Sequence, residues 1–403
     1  MSRLDRLKMG KVEPHHLHQF NQLLRYVFQV TNKELLMVGW KEREIAMAKL
    51  PVLEQADVLG WFDGDKLISQ VAVYPFKVNI FGRIFDMGGL TGVGTYPEYA
   101  NMGLMNKLMR QALWEMRERK QTISYLYPYS FPYYRRRGWE IISDKMTFEV
   151  RDYQLPKPKQ VSGYVERVDV EHLDIKYVYQ IFSSKKHAAM IRNDLAWDEY
   201  WRWDLDDITA AVYYDQTREP QGYLLYWISD DVLHIKEMVY NNQEARNGLW
   251  NFVSAHFSMV SKVVGSTYMD EPLAFWLDDG DIKETISPYY MARIVDAQQF
   301  IAQFPFKKFE EETTITLELN DPILDWNHGV FTLQVSSAGH GELVHSEKKP
   351  IASLDIQTLT TMLLSYKRPS YLADIGRLKA DKETVERLEN LIERQTPYFS
   401  DYF

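Results

Sequence analysis

The chain has 403 residues, 45% of them apolar and 26% charged, with a formal net charge of -9 at pH 7 and no cysteine. That length exceeds one ordinary core and implies two or three domains. The missing cysteines exclude disulfides, thiolate metal sites and a cysteine nucleophile. The acidic balance argues against nucleic acid, which needs a basic footprint, and no apolar run approaches the roughly 20 residues that span a membrane. Negative charge suits attraction of a small cationic molecule, although mild acidity is also ordinary in soluble proteins. The N-terminal text MSRLDRLKMGKVEPHH lacks a signal-peptide core, so a cytoplasmic location is expected.

Residues 16–30 and 33–49 space their apolar side chains by three and four, which predicts two helices. Alternation over 58–62 and 67–74 about Asp63-Gly64-Asp65 predicts a hairpin. A second hairpin turns at Phe81-Gly82-Arg83. The glycine-rich text MGGLTGVGT (87–95) predicts a strand that leads through Tyr96-Pro97 into a helix. That helix carries a stripe of Leu104, Met105, Leu108, Met109, Ala112, Leu113 and Met116. A short strand at 122–127 precedes FPYYRRRGW (131–139). Proline and polar residues make 151–163 a linker.

Beyond the linker the order recurs, with strands at 210–214, 222–229 and 232–240 and a helix at 243–260. GLMNKL (103–108) and GLWNFV (248–253) are similar locally. The second segment reads as another copy of the first unit. It lacks the glycine-rich strand and proline turn, which makes it structural. From about 285, strands at 311–318 and 330–336 and helices at 355–365 and 381–395 predict a separate α+β domain. The text ends in TPYFSDYF. Four aromatic rings there fit a tail docked in a groove better than a mobile end.

A strand, a turn and a glycine at the head of an amphipathic helix can bind a pyrophosphate. Free N–H groups and the helix dipole supply the donors, and glycine allows close approach of the backbone. A bulged strand before it can present backbone groups to an acyl carrier's arm and thioester.

The text V-G-T-Y-P-x-x-x-x-x-G-L (93–104) resembles the acetyl-CoA segment of the GNAT N-acetyltransferases. With YYRRRGW (133–139), the aromatic end and GRLKADKETVERLENL (376–391), the chain is similar to the Eis family over its whole length. The resemblance implies a mixed α/β, α+β architecture of two tandem GNAT-like domains and a sterol-carrier-protein-like domain. Their expected bounds are 1–150, 151–285 and 286–403. It implies an acetyl-CoA-dependent N-acetyltransferase acting on an aminoglycoside-like, polyamine-like or lysine amine, without a metal, in a homo-oligomer that family likeness makes a hexamer. Backbone contacts to acetyl-CoA fall at Val93, Gly94, Thr95, Asn101, Met102, Gly103, Leu104, Met105 and Asn106, with a further region at Tyr129 and Ser130. The family motif Gln/Arg-x-x-Gly-x-Gly/Ala is here Ala100 to Met105. Its central glycine stands, but its basic residue and last small residue are absent. Lys107 or Arg135, Arg136 and Arg137 are the candidates to compensate.

The resemblance places the general acid at Tyr134 and the base at the terminal carboxylate of Phe403. A phenol near pKa 10 suits protonation of a departing thiolate, whereas a packing role for Tyr133 or Tyr134 is the plain reading of the residues alone. Trp40 is a candidate wall of the amine pocket or a core ring. Asp401 is a candidate partner for a cationic substrate or a solvated tail charge. His15, His16 and His18 lack the spacing of a zinc site and read as surface residues. The alternative function is a degenerate GNAT fold that binds CoA or an apolar ligand without catalysis.

Overall fold

The computed structural model describes residues 3–37, 40–201 and 208–403. The alternating segments of the first third form one mixed sheet. Its order is Leu7–Lys11, Asp57–Asp63, Lys66–Ile80, Arg83–Thr95, Ile123–Leu126, Met291–Ile294 and Glu140–Ile141, and Met190–Ile191 pairs with the far end of Lys66–Ile80. Phe81 and Gly82 both take positive φ, 48° and 84°, as a two-residue hairpin turn requires. Strand alternation sends Val71, Val73 and Leu90 to one face, under helix Leu104–Glu118. Ala72, Tyr74, Phe76 and Met87 go to the other, under helix Leu17–Phe28.

A second sheet runs Lys283–Pro288, Asp144–Arg151, Lys262–Thr267, Val232–Tyr240, Pro220–Ser229, Thr209–Tyr214 and Tyr164–Val168. A third runs Gly341–His345, Gly329–Val335, Thr313–Asn320, Ala352–Asp355 and Lys379–Ala380. Two strands cross the domain bounds expected from the sequence. Asp144–Arg151 lies within the second sheet, and Met291–Ile294 returns to the first, antiparallel to both Ile123–Leu126 and Glu140–Ile141. All four residues of that returning strand are buried, and Arg293 within it pairs with the equally buried Asp321 of the third domain. The buried cluster on the Phe76 face continues into the third domain through Ile315, Phe331, Leu359 and Leu388.

The helix expected over 33–49 is instead three short helices, Asn32–Met37, Glu42–Met47 and Leu50–Gln55. Lys41 N–H donates to Glu44 Oε2 (2.8 Å), starting the second. Pro51 sits in the first turn of the third, where its missing N–H is tolerated. The helix expected over 243–260 ends at Ser254. Among the described residues no helix is long and apolar enough to cross a membrane.

Candidate active site

The glycine-rich strand Arg83–Thr95 pairs in parallel with Ile123–Leu126 only at Met87↔Ile123, Gly88↔Ser124 and Gly89↔Tyr125. Past Gly89 it runs on to Thr95 without that neighbour, so the sheet forks. On its other edge, pairing with Lys66–Ile80 shifts register between Gln70 and Ala72. The bulge falls opposite Gly92, whose φ of +61° suits glycine. Val93, Gly94 and Thr95 therefore lie on the free arm of the fork. Gly94 is fixed by packing as well, because a Cβ there would stand 2.8 Å from Val27 Cγ2.

Beyond Pro97, Asn101 (φ 61°) and Gly103 (φ 73°) turn the chain into helix Leu104–Glu118. Gly103 brings no side-chain cap. The N–H groups of Leu104, Met105 and Asn106 have no carbonyl to bond within the helix. Ala100, Asn101, Gly103 and Asn106 are exposed, and Met102 and Met105 half-buried. This is a donor set open to an anion, and a CoA pyrophosphate fits its chemistry.

Beside it lies a cavity of about 330 Å3 lined by Asn106, Met109, Arg110, Arg136, Arg137 and Ile323. The arginines near it are not equivalent. Arg135 is held by Glu140 through Nε (2.9 Å) and Nη2 (2.8 Å). Arg137 bonds the Asn106 side chain (3.1 Å) and the Tyr133 carbonyl (2.9 Å) and lies over the Tyr133 ring. Lys107 lies over the Trp61 ring. Arg110 and Arg136 are exposed, and their side chains have no hydrogen-bond or ion-pair partner among the described residues. Of the cations considered in place of the basic residue missing at Ala100, Arg136 is thus the uncommitted one. Arg110 was not foreseen, and its position one turn after Asn106 was the available signal.

Tyr134 sits in helix Phe131–Arg135 on the Leu104–Glu118 side of the sheet, buried against Tyr133 and Trp139. Its hydroxyl has no hydrogen-bond partner among the described residues. Burial first, and Tyr133 second, push the phenol well above its usual pKa, while Arg137 pulls it down. Tyr129 is almost fully exposed (91%) and Ser130 precedes the helix, its carbonyl accepting from Tyr134 N–H (3.3 Å). Trp40 is half-buried after Asn32–Met37, its N–H donating to the Leu35 carbonyl (3.1 Å).

The tail reaches the fork from the opposite face. Phe403 is buried against Phe76 (5.0 Å between ring centroids), Tyr290 (5.5 Å) and Tyr74 (6.0 Å). Its N–H donates to Tyr290 Oη (3.3 Å). A Cβ on Gly89, the last paired residue of the fork, would stand 2.8 Å from the Phe403 ring. No ring contact or hydrogen bond joins Phe403 to Tyr134 among the described residues; the sheet lies between them. At the same place Tyr125 faces the tail, its ring 5.2 Å from that of Phe399 and its buried hydroxyl without a partner.

Asp401 is neither a solvated charge nor free for substrate. It is buried, and its Oδ1 accepts from Arg192 Nε at 2.6 Å. His15 is exposed, with Glu13 Oε2 3.4 Å from its Nδ1.

The second copy repeats the fork and closes it. Val232–Tyr240 and Lys262–Thr267 pair in parallel only from Val232↔Lys262 to His234↔Val264. The gap beyond is filled by Met238, Tyr240, Arg246, Trp250 and Tyr268, leaving about 20 Å3, room for roughly one water. The next helix, Gln243–Ser254, is capped by its own Asn242 side chain, which accepts from Ala245 N–H (2.8 Å). Among the described residues, no side chain plays that part at Gly103.

Residues 9–142 match an acetyltransferase (GNAT) domain, residues 188–294 match a second acetyltransferase (GNAT) domain, and residues 297–400 match a sterol carrier protein domain. A solved protein of Enterococcus faecalis, described as a probable N-acyltransferase, is 26% identical with a TM-score of 0.91 over 98% of this chain and 100% of that one. A GCN5-related N-acetyltransferase of Anabaena variabilis is 22% identical (TM-score 0.85, covering 99% and 100%). The Eis1 protein of Mycobacterium abscessus shares the fold at 16% identity (TM-score 0.81, covering 98% and 100%). No curated protein matches the chain by sequence.

Proposed function

We propose that this acetyltransferase, built of two GNAT domains and a sterol carrier protein domain, moves the acetyl group of acetyl-CoA onto an amine of a small cationic substrate. The observation that carries the reading is the fork at Gly89, with Phe403 seated on one face and the Tyr134 helix on the other. Acetyl-CoA would supply a thioester. The backbone of Val93, Gly94 and Thr95 and the N–H groups of Leu104, Met105 and Asn106 would hold it, with Arg110 and Arg136 toward its phosphates. Those donors lie on the Tyr134 side. The amine would then approach from the tail side, and the two would meet through the gap between the strands.

Two protons must move. The substrate ammonium must lose one before its nitrogen can attack, and the Phe403 carboxylate is the group at hand on that face. An α-carboxyl of pKa about 3.3–3.7 is a weak base, so it serves best by orienting the cation and passing its proton to water. Partial desolvation by the neighbouring Tyr74, Phe76 and Tyr290 would raise the carboxyl's basicity. The departing thiolate must gain a proton, and Tyr134 carries one. Its raised pKa keeps the phenol protonated at any working pH but makes transfer uphill, so Tyr134 gives up its proton only as sulfur charge develops, aided by Arg137.

Titration calorimetry with CoA, followed by thiol release across a panel of aminoglycosides, polyamines and lysine, tests the reading. Micromolar CoA binding and amine-dependent thiol release are expected. No binding at millimolar CoA would sink it in favour of the degenerate-fold alternative, whose sequence support is Ala100 in place of a basic residue. We further propose a cytoplasmic homo-oligomer, a hexamer on family likeness, which light scattering on the purified protein checks.

A further inference from the structure

We infer that the second GNAT domain, whose own fork is closed, acts as the latch that positions the C-terminal tail in the first domain's fork, and that Arg192 is its positioning residue. The inference rests on the proposed role of Phe403, but its evidence is separate.

Arg192 follows the short strand Met190–Ile191, which the second domain lends to the first sheet. Its side chain is fully buried. Nη1 and Nη2 bond both oxygens of Glu237 (3.1 and 2.7 Å), and Nε bonds Asp401 (2.6 Å). The guanidinium lies against the rings of Tyr179, Tyr200 and Trp197, which leaves it one geometry. Glu237 is itself fixed by Tyr223 Oη (2.6 Å). Three of the guanidinium's five N–H donors are thus assigned, two to the domain's own carboxylate and the third to the tail.

The tail's other bonds point the same way. The Tyr179 hydroxyl shares its one proton between the Met190 carbonyl (2.9 Å) and Asp401 Oδ2 (3.2 Å), and Tyr289 Oη donates to the Asp401 carbonyl (3.0 Å). Tyr398 N–H donates to the His187 carbonyl (2.9 Å), and the Tyr398 ring packs on Phe182 and Tyr268. Nearly every polar bond holding 398–401 comes from the second domain, whereas Phe403 two residues later meets groups of the first sheet. A planar, always charged guanidinium suits this duty, because it fixes both the distance and the direction of a carboxylate. An anchored Asp401 leaves only Tyr402 as slack before the terminal carboxylate.

The test uses the full-length protein and the Asp401→Asn variant, which leaves the Arg192–Glu237 pair intact. Carboxypeptidase A releases C-terminal aromatic residues, and a buried Phe403 should resist it. Asp401→Asn should release phenylalanine at least tenfold faster, with the cooperative unfolding transition kept. Arg192→Lys should fall between wild type and Asp401→Asn. With the proposed chemistry also correct, kcat should drop at least tenfold in Asp401→Asn while KM for acetyl-CoA stays within twofold. Faster release with unchanged kcat would uphold the latch and remove the carboxylate from the chemistry. A tail in Asp401→Asn as resistant as in wild type would overturn the latch, and so would Arg192→Lys matching wild type while Asp401→Asn does not.

Discussion

Gly89→Ala tests the placement of the chain end with one methyl group. The added Cβ would stand 2.8 Å from Phe403 Cε2 and 2.8 Å from Phe76 Cδ2. Carbon atoms pack at about 3.5–4.0 Å, so each contact is too close by about 0.7–1.2 Å. Something must move, and the two rings are not equally free. Phe76 is buried in the middle of a strand and paired with Met87. Phe403 lies outside any helix or strand. Overpacking of this size costs about 1–3 kcal/mol, and expelling a phenyl ring from its site costs roughly 1.5–3 kcal/mol. The two are comparable, so displacement of Phe403 caps the loss of stability. Gly89→Ala should therefore lower the unfolding free energy by about 1–3 kcal/mol, cut kcat by roughly 10²-fold as a misplaced proton-handling group does, and leave KM for acetyl-CoA unchanged. Gly88→Ala is the control. Its Cβ would meet Met116 Sδ at 2.7 Å on the other face, and methionine adapts readily. Steady-state kinetics and urea titration on both variants decide the matter. Gly89→Ala with wild-type kcat and a protected tail would refute the reasoning.

The remaining expectations concern single groups. Tyr134→Phe should lower kcat by about 10²-fold or more without changing CoA affinity in calorimetry; an unchanged rate returns Tyr134 to packing. Three residues added after Phe403 should abolish thiol release while the circular dichroism spectrum and unfolding transition stay intact. Replacing both Arg110 and Arg136 by alanine should raise the Kd for CoA by about 10- to 100-fold at low salt, the loss of one charge-assisted contact or more, with the effect shrinking as salt rises. His187 bears on pH. It is buried, stacked on Phe81 and bonded to the Leu364 carbonyl, and burial lowers its pKa to about 4. The folded protein therefore holds the neutral ring and the unfolded chain protonates first. This contribution is complete above pH 6.5, falls as pH drops from 6.5 toward 4, and totals roughly 3 kcal/mol. His187→Gln should flatten the urea midpoint against pH in that window, and an unchanged slope would assign the acid sensitivity elsewhere.

What was legible in the sequence was local. The strand, proline turn and amphipathic helix at 87–116 announce themselves by composition and period, and they stand in the structure as one continuous element pair. The second copy was legible as a copy because hairpin, strand and helix recur in the same order. What closes it was not, since Asn242, Arg246 and Trp250 are ordinary residues until a fork brings them together. Distance along the chain hid the rest. Arg192 sits in the bland text AAMIRND, and its partners lie 45 and 209 residues away. Gly89 reads as one more glycine of a rich strand, and only a ring arriving from the chain end makes it obligatory.

The same facts explain why a closed second domain remains useful. A carboxylate at a free chain end is a poor positional element, because every rotatable bond before it must be fixed at an entropic cost of about 1–2 kcal/mol per residue. The first domain alone offers residues 398–403 mainly apolar contact, which is non-directional. Arg192, Tyr179 and the His187 carbonyl add directional bonds at Asp401 and Tyr398. Tyr268, which lines the closed second fork, also packs against the Tyr398 ring. On the proposed reading, the domain whose fork is closed is also the one that fixes the tail.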